Sequence, residues 1–259
     1  MDKRLAQRLL SLNQHFKQKD IRKIQGEDFL EFCEKAFKNR IVKPTTTNRY
    51  RDDLVAICNF GARIWNLTID TKAIPKRKVP TPKPRYLSQN EQERLLYAYN
   101  PLVQPIIYLL CFQGCRIGEA IRLCWEDVCL SERTITFWIT KNDEPRTVPM
   151  HPRVYNALRQ INRERTKEIF INNLGKPYNY VVHASGSPIK TAHRTAVRKA
   201  NIRNFKVHNW RSHWASQMAL KGASAYELMA LGGWKSHKAV SHYVKLNPGH
   251  LRHAIERLE

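Results

Sequence analysis

The stretch Gly114-Cys-Arg-Ile-Gly-Glu-Ala-Ile-Arg-Leu-Cys-Trp-Glu-Asp-Val128 places an arginine where packing alone does not explain it. Arg116 follows a glycine shortly after an apolar run that ends at Phe112, so we expect its guanidinium to be partly buried. A buried guanidinium needs an anion, and a diester phosphate accepts its planar fork through two hydrogen bonds. Glu119 lies one helical turn further on and would orient the group. The alternative is a purely structural ion pair of Arg116 with Glu119 or Asp127.

A second polar cluster, His208-Asn-Trp-Arg-Ser-His-Trp214, opens a predicted helix over residues 211–221. His208 and Arg211 are three residues apart, so both face one side of the helix start. Backbone N–H groups at such a start also favour an anion. The cluster therefore predicts a second position that holds a negatively charged group.

Two further candidates are ordinary when each is taken alone. The segment Leu231-Gly-Gly-Trp-Lys-Ser-His-Lys-Ala-Val-Ser-His-Tyr243 ends in a tyrosine that would normally be a packing residue of a basic helix. Its histidines His237 and His242 offer an alternative zinc pair, but no convincing third ligand accompanies them. Lys141 is predicted at the tip of a β-hairpin, where a lysine is normally solvated.

Taken together, these residues resemble the tyrosine recombinases, also called the phage integrase family. The candidate catalytic set is Arg116, Lys141, His208, Arg211, Trp234 and Tyr243. The resemblance covers roughly residues 86–259: Gly-x-Arg-x-x-Glu-x-x-x-Leu-x-Trp-x-Asp-Val matches the first arginine box of the family. The second box is matched by His-x-x-Arg, Leu-Gly-Gly-Trp and a tyrosine nine residues after that tryptophan. Residues 45–66 resemble the core-binding helix of the family.

The resemblance implies a role for each residue of the set. Arg116 and Arg211 would clamp the scissile phosphate and neutralise charge on its non-bridging oxygens. His208 would hydrogen-bond the phosphate and assist proton transfer to or from Tyr243. Lys141 would act as general acid toward the 5′-oxygen leaving group. Tyr243 would be the nucleophile that forms a 3′-phosphotyrosyl intermediate, and no metal, ATP or other cofactor is implied.

The sequence departs from the usual family pattern at two positions. Most members have histidine where this chain has Trp234, and an indole N–H donates to a phosphate oxygen but cannot shuttle a proton. Acid–base work would therefore fall to His208 and Lys141, with Glu119 as an accessory residue. The usual second box reads His-x-x-Arg-His-Thr, whereas this chain has Arg211-Ser-His213, so His213 is displaced by one position and we expect it to be structural.

Charge supports a polyanionic partner. The chain has 259 residues, a formal net charge of +23 and a pI near 10.0, and basic residues are in excess both before and after residue 85. Such a surface attracts nucleic acid by releasing counterions, although a merely basic soluble protein is the alternative. The longest apolar stretch is too short to span a membrane and no signal sequence opens the chain, so we expect a cytoplasmic, DNA-associated protein of a bacterium or a phage-infected host cell.

A proline-rich basic segment divides the chain. Residues 71–85 contain four prolines, six basic residues and no acid, so they predict an extended linker that follows a phosphate backbone. We expect a helical core-binding domain over residues 1–70, the linker over 71–85 and a catalytic domain over 86–259. The candidate DNA-binding residues are Arg49, Arg51, Lys76, Arg77, Lys78, Lys83 and Arg85. A solvated loop is the alternative for any one lysine of the linker.

Periodicity predicts a mainly α protein with a small antiparallel β-sheet, in the two-domain architecture of the tyrosine recombinases: an N-terminal helical core-binding domain plus an α/β catalytic domain. Apolar repeats predict helices around residues 5–12, around 29–37 and from an N-cap at Thr45–Thr47. Ser88-Gln-Asn-Glu91 predicts a capping box. Residues 133–140 and 146–150 predict a β-hairpin, and helices follow near 103–112, 153–168, 191–200, 211–221, 225–231 and after Pro248.

The six cysteines form no CxxC pair and most lie among apolar residues, as in Leu109-Leu-Cys-Phe112. We expect buried, reduced thiols and neither a disulfide nor a metal site; a metal at Cys111 and Cys115 with a distant histidine is the alternative.

The resemblance implies a site-specific DNA recombinase or integrase that acts as a tetramer on two double-stranded DNA sites, with accessory DNA-bending proteins in some systems. The stripe Leu251, Ile255 and Leu258 of the C-terminal tail would dock on a neighbouring subunit, or else pack on its own core. Alternatives are a type IB topoisomerase and a non-catalytic DNA-binding regulator of the same fold. Residues 1–44 look too helical for the additional arm-binding domain of many integrases, so the enzyme lacks one or it has been removed.

Overall fold

A computed structural model of the chain describes residues 3–38, 40–80, 85–138, 145–161, 167–178, 188–244 and 256. The chain divides into two compact units, Met1–Pro82 and Lys83–Glu259. Within the described ranges, no helix is both long enough and apolar enough to cross a membrane.

The first unit is helical, as the apolar periodicity predicts. Its helices are α1 (Lys3–Phe16), α2 (Gly26–Phe37) and α3 (Pro44–Ile64), with 3₁₀ turns at Ile21–Lys23 and Thr71–Ala73. The inward faces of the helices and the residues that follow the two turns form one core of Leu12, Phe16, Ile24, Phe29, Phe32, Cys33, Leu54, Cys58 and Ile74. The expected N-cap at Thr45–Thr47 was wrong: Lys43 is the N-cap and Pro44 opens α3, since a proline fits the first helical position, where its missing N–H is not needed.

The first half of the predicted linker, residues 71–77, is held on the first unit. Ile74 is buried in the core, and the Asn48 side chain forms two hydrogen bonds of 2.8 Å with the backbone N–H and C=O of Arg77. The Arg51 guanidinium donates to the Ile74 carbonyl at 3.2 Å. The stretch that we predict as a linker therefore has no helix or strand over its described residues 75–80, and hydrogen bonds anchor it on α3 as far as residue 77.

The second unit begins with α4 (Gln89–Ala98) and α5 (Gln104–Tyr108), followed by a π-helical turn at Leu109–Gln113 and by α6 (Ile117–Ile121). The capping box is present: Ser88 Oγ accepts from the Glu91 N–H at 3.2 Å, and the Glu91 carboxylate accepts from the Ser88 N–H at 2.9 Å. Further helices are α7 (Pro152–Arg159), α8 (Lys190–Lys199), α9 (Asn209–Leu220), α10 (Ala225–Gly232) and α11 (His237–Val240).

A small antiparallel sheet flanks these helices, with strand order β1 (Val128–Cys129), β2 (Thr134–Phe137) and β3 (Arg146–Pro149). The β2–β3 hairpin is the predicted one; Ile135 pairs with Val148 and Phe137 with Arg146. β1 was not predicted, because two residues carry no alternation. The fold class, mainly helical with a small antiparallel sheet, is confirmed.

The predicted helix over residues 153–168 was wrong at residues 160, 161, 167 and 168, the part beyond Arg159 that the structure describes. α7 ends at Arg159, and beyond it the Lys167 carbonyl accepts from the Trp125 N–H while the Ile169 N–H donates to the Leu123 carbonyl, both at 3.0 Å. Ile169 is buried, so this extended pairing satisfies its backbone inside the core. The helix expected over Leu251, Ile255 and Leu258 lies outside the described residues.

Candidate active site

The turn that carries Arg116 is fixed by packing against α9. The π-helical turn ends at Gly114, whose φ of +62° is a conformation that favours glycine. A Cβ on Gly114 would lie 2.1 Å from the Trp214 ring, so only glycine allows this approach. The Gly114 carbonyl accepts from Arg211 Nη1 at 2.7 Å. Arg116 follows as the N-cap residue of α6 and is brought beside the start of α9.

Glu119 is the buried carboxylate at the centre of this site, with a side chain only 2% exposed. Its Oε1 accepts from Arg116 Nη1 at 2.7 Å, and its Oε2 accepts from the Arg116 N–H at 2.9 Å and from Arg146 Nη2 at 2.7 Å. Burial would raise the pKa of Glu119, but the hydrogen bond and charge of Arg146, and then the bonds from Arg116, hold this pKa below its usual value. Glu119 is thus a carboxylate that orients two guanidinium groups.

Arg211 is a buried cation stacked on an indole. Its Cζ lies 3.8 Å from the centre of the Trp234 ring. Burial, followed by the charge of Arg116, lowers the pKa of Arg211 to about 10, so it remains charged at neutral pH. Nη2 of Arg211 is buried and has no hydrogen-bond partner among the described residues. An unpaired donor on a buried cation costs free energy unless a ligand supplies an acceptor.

His208 immediately precedes α9. Burial lowers the pKa of His208, and the positive charges of Arg211 and Arg116 lower it further. The imidazole is therefore neutral at neutral pH, with one ring nitrogen free to accept a proton. An anion placed beside it would raise this pKa again.

Tyr243 lies beside Trp234. The two rings are 5.9 Å apart, and Trp234 also stacks on Trp214 at 6.1 Å. The Tyr243 hydroxyl donates to Ser212 Oγ at 3.1 Å, and Ser212 directly follows Arg211 in α9. α10 ends at Gly232, and a Cβ on that glycine would lie 2.1 Å from the Trp234 ring. Contacts therefore run without a break from Arg211 through Trp234 to the tyrosine.

The structure thus brings together five of the six predicted catalytic residues, and Glu119 with them. Lys141 lies outside the described residues, as does Lys83 of the predicted DNA-binding set. In the rest of that set, Arg49, Lys76, Arg77 and Lys78 are exposed, whereas Arg85 pairs with Glu91. The Arg51 side chain is only 18% exposed. It donates to the Ile74 and Thr71 carbonyls and to Asp52, so its partners in this structure are protein groups, whereas the sequence predicts a DNA contact.

His213 lies away from the anion-binding groups. Its Nδ1 accepts from the Leu87 N–H at 3.3 Å, so Nε2 carries the proton and donates to Gln92 Oε1 at 2.7 Å. Burial, then the charge of Arg85, lowers the pKa of His213 to about 4. His213 ties α9 to α4 as a neutral imidazole.

Sequence reasoning missed two residues of this site, Arg146 and Ser212. A signal for Arg146 was present, since it lies two positions before the inward-facing Val148 of β3 and therefore shares the buried face of the strand. A buried arginine needs a carboxylate. Nothing in the sequence singled out Ser212 as the partner of a tyrosine thirty-one residues later.

The zinc and metal alternatives gain no support from the geometry. Among the described residues, no group of three or more histidine, cysteine, aspartate and glutamate side chains is placed to hold a metal ion. Burial raises the pKa of the Cys111 thiol well above its usual value and that of Cys115 to about 12, which disfavours the thiolate a metal requires.

Comparison with known proteins decides the family. The sequence profile described as the phage integrase family matches residues 85–250. The chain belongs to the phage integrase family. One relative is the integrase of Salmonella phage P22. It is 24% identical to this chain, and the alignment covers 86% of this chain and 59% of the relative. The shufflon-specific DNA recombinase of Escherichia coli is 27% identical over 80% of this chain and 53% of that protein. The chain thus spans a little over half the length of these relatives.

Solved structures of the family share the fold. A Tn1549 transposon integrase in complex with a circular intermediate DNA superposes with a TM-score of 0.77 at 17% identity, covering 99% of this chain and 94% of that one. A lambda integrase dimer bound to a COC′ core site has a TM-score of 0.71 at 14% identity, covering 93% and 70%. The expected architecture of the tyrosine recombinases is therefore confirmed for this family member.

Proposed function

We propose that the protein is a site-specific DNA recombinase that cleaves and rejoins DNA through a 3′-phosphotyrosyl intermediate. One observation carries the proposal: the buried Arg211, with a donor left unpaired, lies beside Arg116, His208 and Trp234, next to a tyrosine hydroxyl. Two guanidinium groups so close together repel each other, and a phosphate between them would relieve that repulsion. The names of the relatives support a DNA phosphodiester as that phosphate.

In the first step, the Tyr243 oxygen attacks the phosphorus and the bond to the 5′-oxygen breaks. Arg116 and Arg211 neutralise the charge that develops on the non-bridging oxygens, and the Trp234 N–H donates to one of them. Neutral His208 is suited to accept the phenolic proton, because a phenol of pKa about 10 is otherwise a weak nucleophile at neutral pH. Arg116 reaches the phosphate correctly only while Glu119 holds its guanidinium.

In the second step, the leaving 5′-oxygen takes up a proton, for which Lys141 is the proposed donor. The phosphotyrosyl bond keeps the energy of the broken diester, so a 5′-hydroxyl of the partner strand rejoins the DNA without an external energy source. Attack by that hydroxyl on the phosphorus returns the hydroxyl proton to Lys141 and releases the Tyr243 oxygen, which recovers its proton from His208.

Each unit contributes basic residues to duplex binding. The exposed side chains of Arg49, Lys76, Arg77 and Lys78 in the first unit are proposed phosphate contacts, whereas Arg51 is left out because the protein itself engages it. Lys83 and Arg85 stay in the proposed set, with Arg85 exchanging Glu91 for a phosphate. Phosphate contacts of this kind position a protein without reading sequence.

We also propose that the active assembly is a tetramer on two DNA sites, exchanging C-terminal tails between subunits, inside the bacterial or phage-infected cell whose DNA it recombines. Integration and excision use the same chemistry, so accessory DNA-bending proteins would set the direction. Cross-linking on DNA that yields only monomers and dimers would contradict the tetramer.

The test is to incubate the full chain with fragments of the genome that encodes it and to sequence the DNA ends that become covalently linked to protein. The proposal predicts linked 3′ ends at one or a few defined sites. Linked ends without site preference, together with relaxation of supercoiled plasmid, would indicate a type IB topoisomerase instead. A regulator without catalysis would bind DNA at defined sites and leave no linked ends.

A further inference from the structure

Arg146 of β3 is the second cation on the buried carboxylate of the site. Its Nη2 lies 2.7 Å from Glu119 Oε2, and its side chain is only 10% exposed. Its Nε donates to the Leu231 carbonyl at 3.1 Å, at the end of α10. The guanidinium also packs 4.5 Å from the Phe137 ring on β2. One side chain therefore joins the sheet, the start of α6 and the end of α10.

The start of α6 and the turn after α10, which Arg146 ties to the sheet, carry groups that would hold the phosphate. Glu119 orients Arg116, whose Nη2 lies 3.4 Å from the Gly233 carbonyl. Gly233 directly precedes Trp234, which stacks on the Arg211 guanidinium. A movement of Glu119 or of the turn at the end of α10 would thus displace Arg116 and Trp234 together.

We propose that Arg146 is a positioning residue of the recombinase site, which holds Glu119 and the end of α10 so that Arg116 and Trp234 meet the same phosphate. This inference rests on the proposed function. Arg146 acts through Arg116 and Trp234 and does not touch the DNA itself. Its Nη1 has no hydrogen-bond partner among the described residues, but it lies against Gly233, where an added Cβ would be 2.9 Å away.

The first test compares single-turnover covalent linkage of Arg146→Met and Arg146→Lys with that of wild type. The substrate is a nicked duplex carrying a cleavage site mapped as described above. A displacement of about 1 Å at a reacting group costs about 100-fold in rate, so we expect a loss of that order for Arg146→Met at saturating DNA. The Kd for the duplex should stay within about twofold, because the charge removed lies off the DNA.

Arg153→Met is the matched control. Arg153 pairs with the exposed Glu93 and packs 5.3 Å from the Phe112 ring. The variant therefore removes one positive charge from the same unit, as Arg146→Met does, but from an ion pair at the surface. We expect wild-type linkage and thermal stability, since exposed pairs contribute little. Arg146→Lys keeps a cation near Glu119 but loses the planar fork to Leu231, and its rate should fall between Arg146→Met and wild type.

A mutant cycle separates positioning from direct contact. If Arg146 acts only through Arg116 and Trp234, replacing Arg146 with Met in an Arg116→Ala/Trp234→Phe background should cost less than about threefold. A contact of Arg146 with the phosphate would instead keep its full cost in that background. A full cost would overturn the proposal.

The pH profile gives a readout that a merely structural loss would not move. Glu119 is faced by Arg116 and Arg146, with the charge of Arg211 and the thiol of Cys115 close by. Loss of the Arg146 cation should raise the pKa of Glu119 and shift the acid limb of the linkage rate to higher pH. In Arg146→Lys the limb should stay near its wild-type position.

The outcomes are separable. Wild-type protein that forms no covalent complex would contradict the proposed function and the inference with it. Wild-type linkage with an unchanged Arg146→Met rate and pH profile would overturn the inference alone. If Arg146→Met does not fold, Arg146→Lys decides: a wild-type rate with a wild-type Kd in that variant would overturn it.

Discussion

At the scale of single residues, spacing in the sequence was enough to find the anion-binding groups. Arg116 and the His208–Arg211 pair stand in contexts that demand an anion, and the structure brings them together, with Glu119 bonded to Arg116. Arg146 escaped because it was assigned only to a strand, and its carboxylate partner lies twenty-seven residues earlier. A partner so distant in the chain becomes visible only once the fold exists.

His213 allows a prediction about pH and stability. Its pKa is about 4 in the folded protein against an ordinary value of 6.5, so the unfolded chain takes up the proton first as the pH falls. The stability from this residue is complete above pH 6.5 and is lost as the pH falls toward 4. Between pH 7 and 4.5 we expect it to account for about 2–3 kcal/mol of lost unfolding free energy.

Urea unfolding followed by tryptophan fluorescence at the two pH values measures the effect. His213→Gln should be less stable than wild type at pH 7 but should lose about 2–3 kcal/mol less on acidification. The other buried histidines are the same in both proteins and cancel. Equal losses in the two proteins would show that His213 does not titrate as the structure requires.

At the scale of elements, periodicity predicted the helices well and failed where tertiary pairing decides. Residues 160–168 continue a polar, helix-compatible pattern, yet Lys167 and Ile169 pair with the chain near Trp125. The two-residue β1 exists because β2 offers it an edge. The π-helical turn before Gly114 reads in the sequence as a plain apolar helix, although it sets the direction in which Arg116 leaves the core.

Gly114 is the element-scale prediction. Gly114→Ala places a Cβ against the Trp214 ring at a positive φ, so we expect about 3 kcal/mol of destabilisation and loss of DNA cleavage. Gly175→Ala is the matched control, because its φ of +70° is similar but no atom lies within 4 Å of the added Cβ. It should cost about 1 kcal/mol and leave cleavage intact. Thermal or urea unfolding compares them; equal effects would mean that the approach of Trp214 is not limiting.

At the scale of the whole molecule, the net charge of +23 predicts DNA binding that weakens steeply with salt. Each phosphate contact contributes about 0.9 to the slope of log K against log salt. Arg49→Gln, Lys76→Gln and Lys78→Gln should each reduce this slope by about that amount in fluorescence anisotropy titrations. Lys35→Gln is the control, since Lys35 is an exposed lysine of α2 that is not among the proposed phosphate contacts. An unchanged slope in all three variants would remove these residues from the DNA-binding surface.

The central claim, that a tyrosine beside two arginines attacks a DNA phosphate, is tested most directly by identifying the residue that carries the DNA. The covalent complex formed on a nicked duplex is digested with trypsin and nuclease and analysed by mass spectrometry. We predict a phosphate-linked nucleotide on Tyr243, in the tryptic peptide 239–245, with no adduct from Tyr243→Phe although that variant still binds DNA. Tyr226→Phe, which alters an exposed tyrosine of α10, should form the adduct normally. An adduct on any other residue, or one that persists in Tyr243→Phe, would contradict the account.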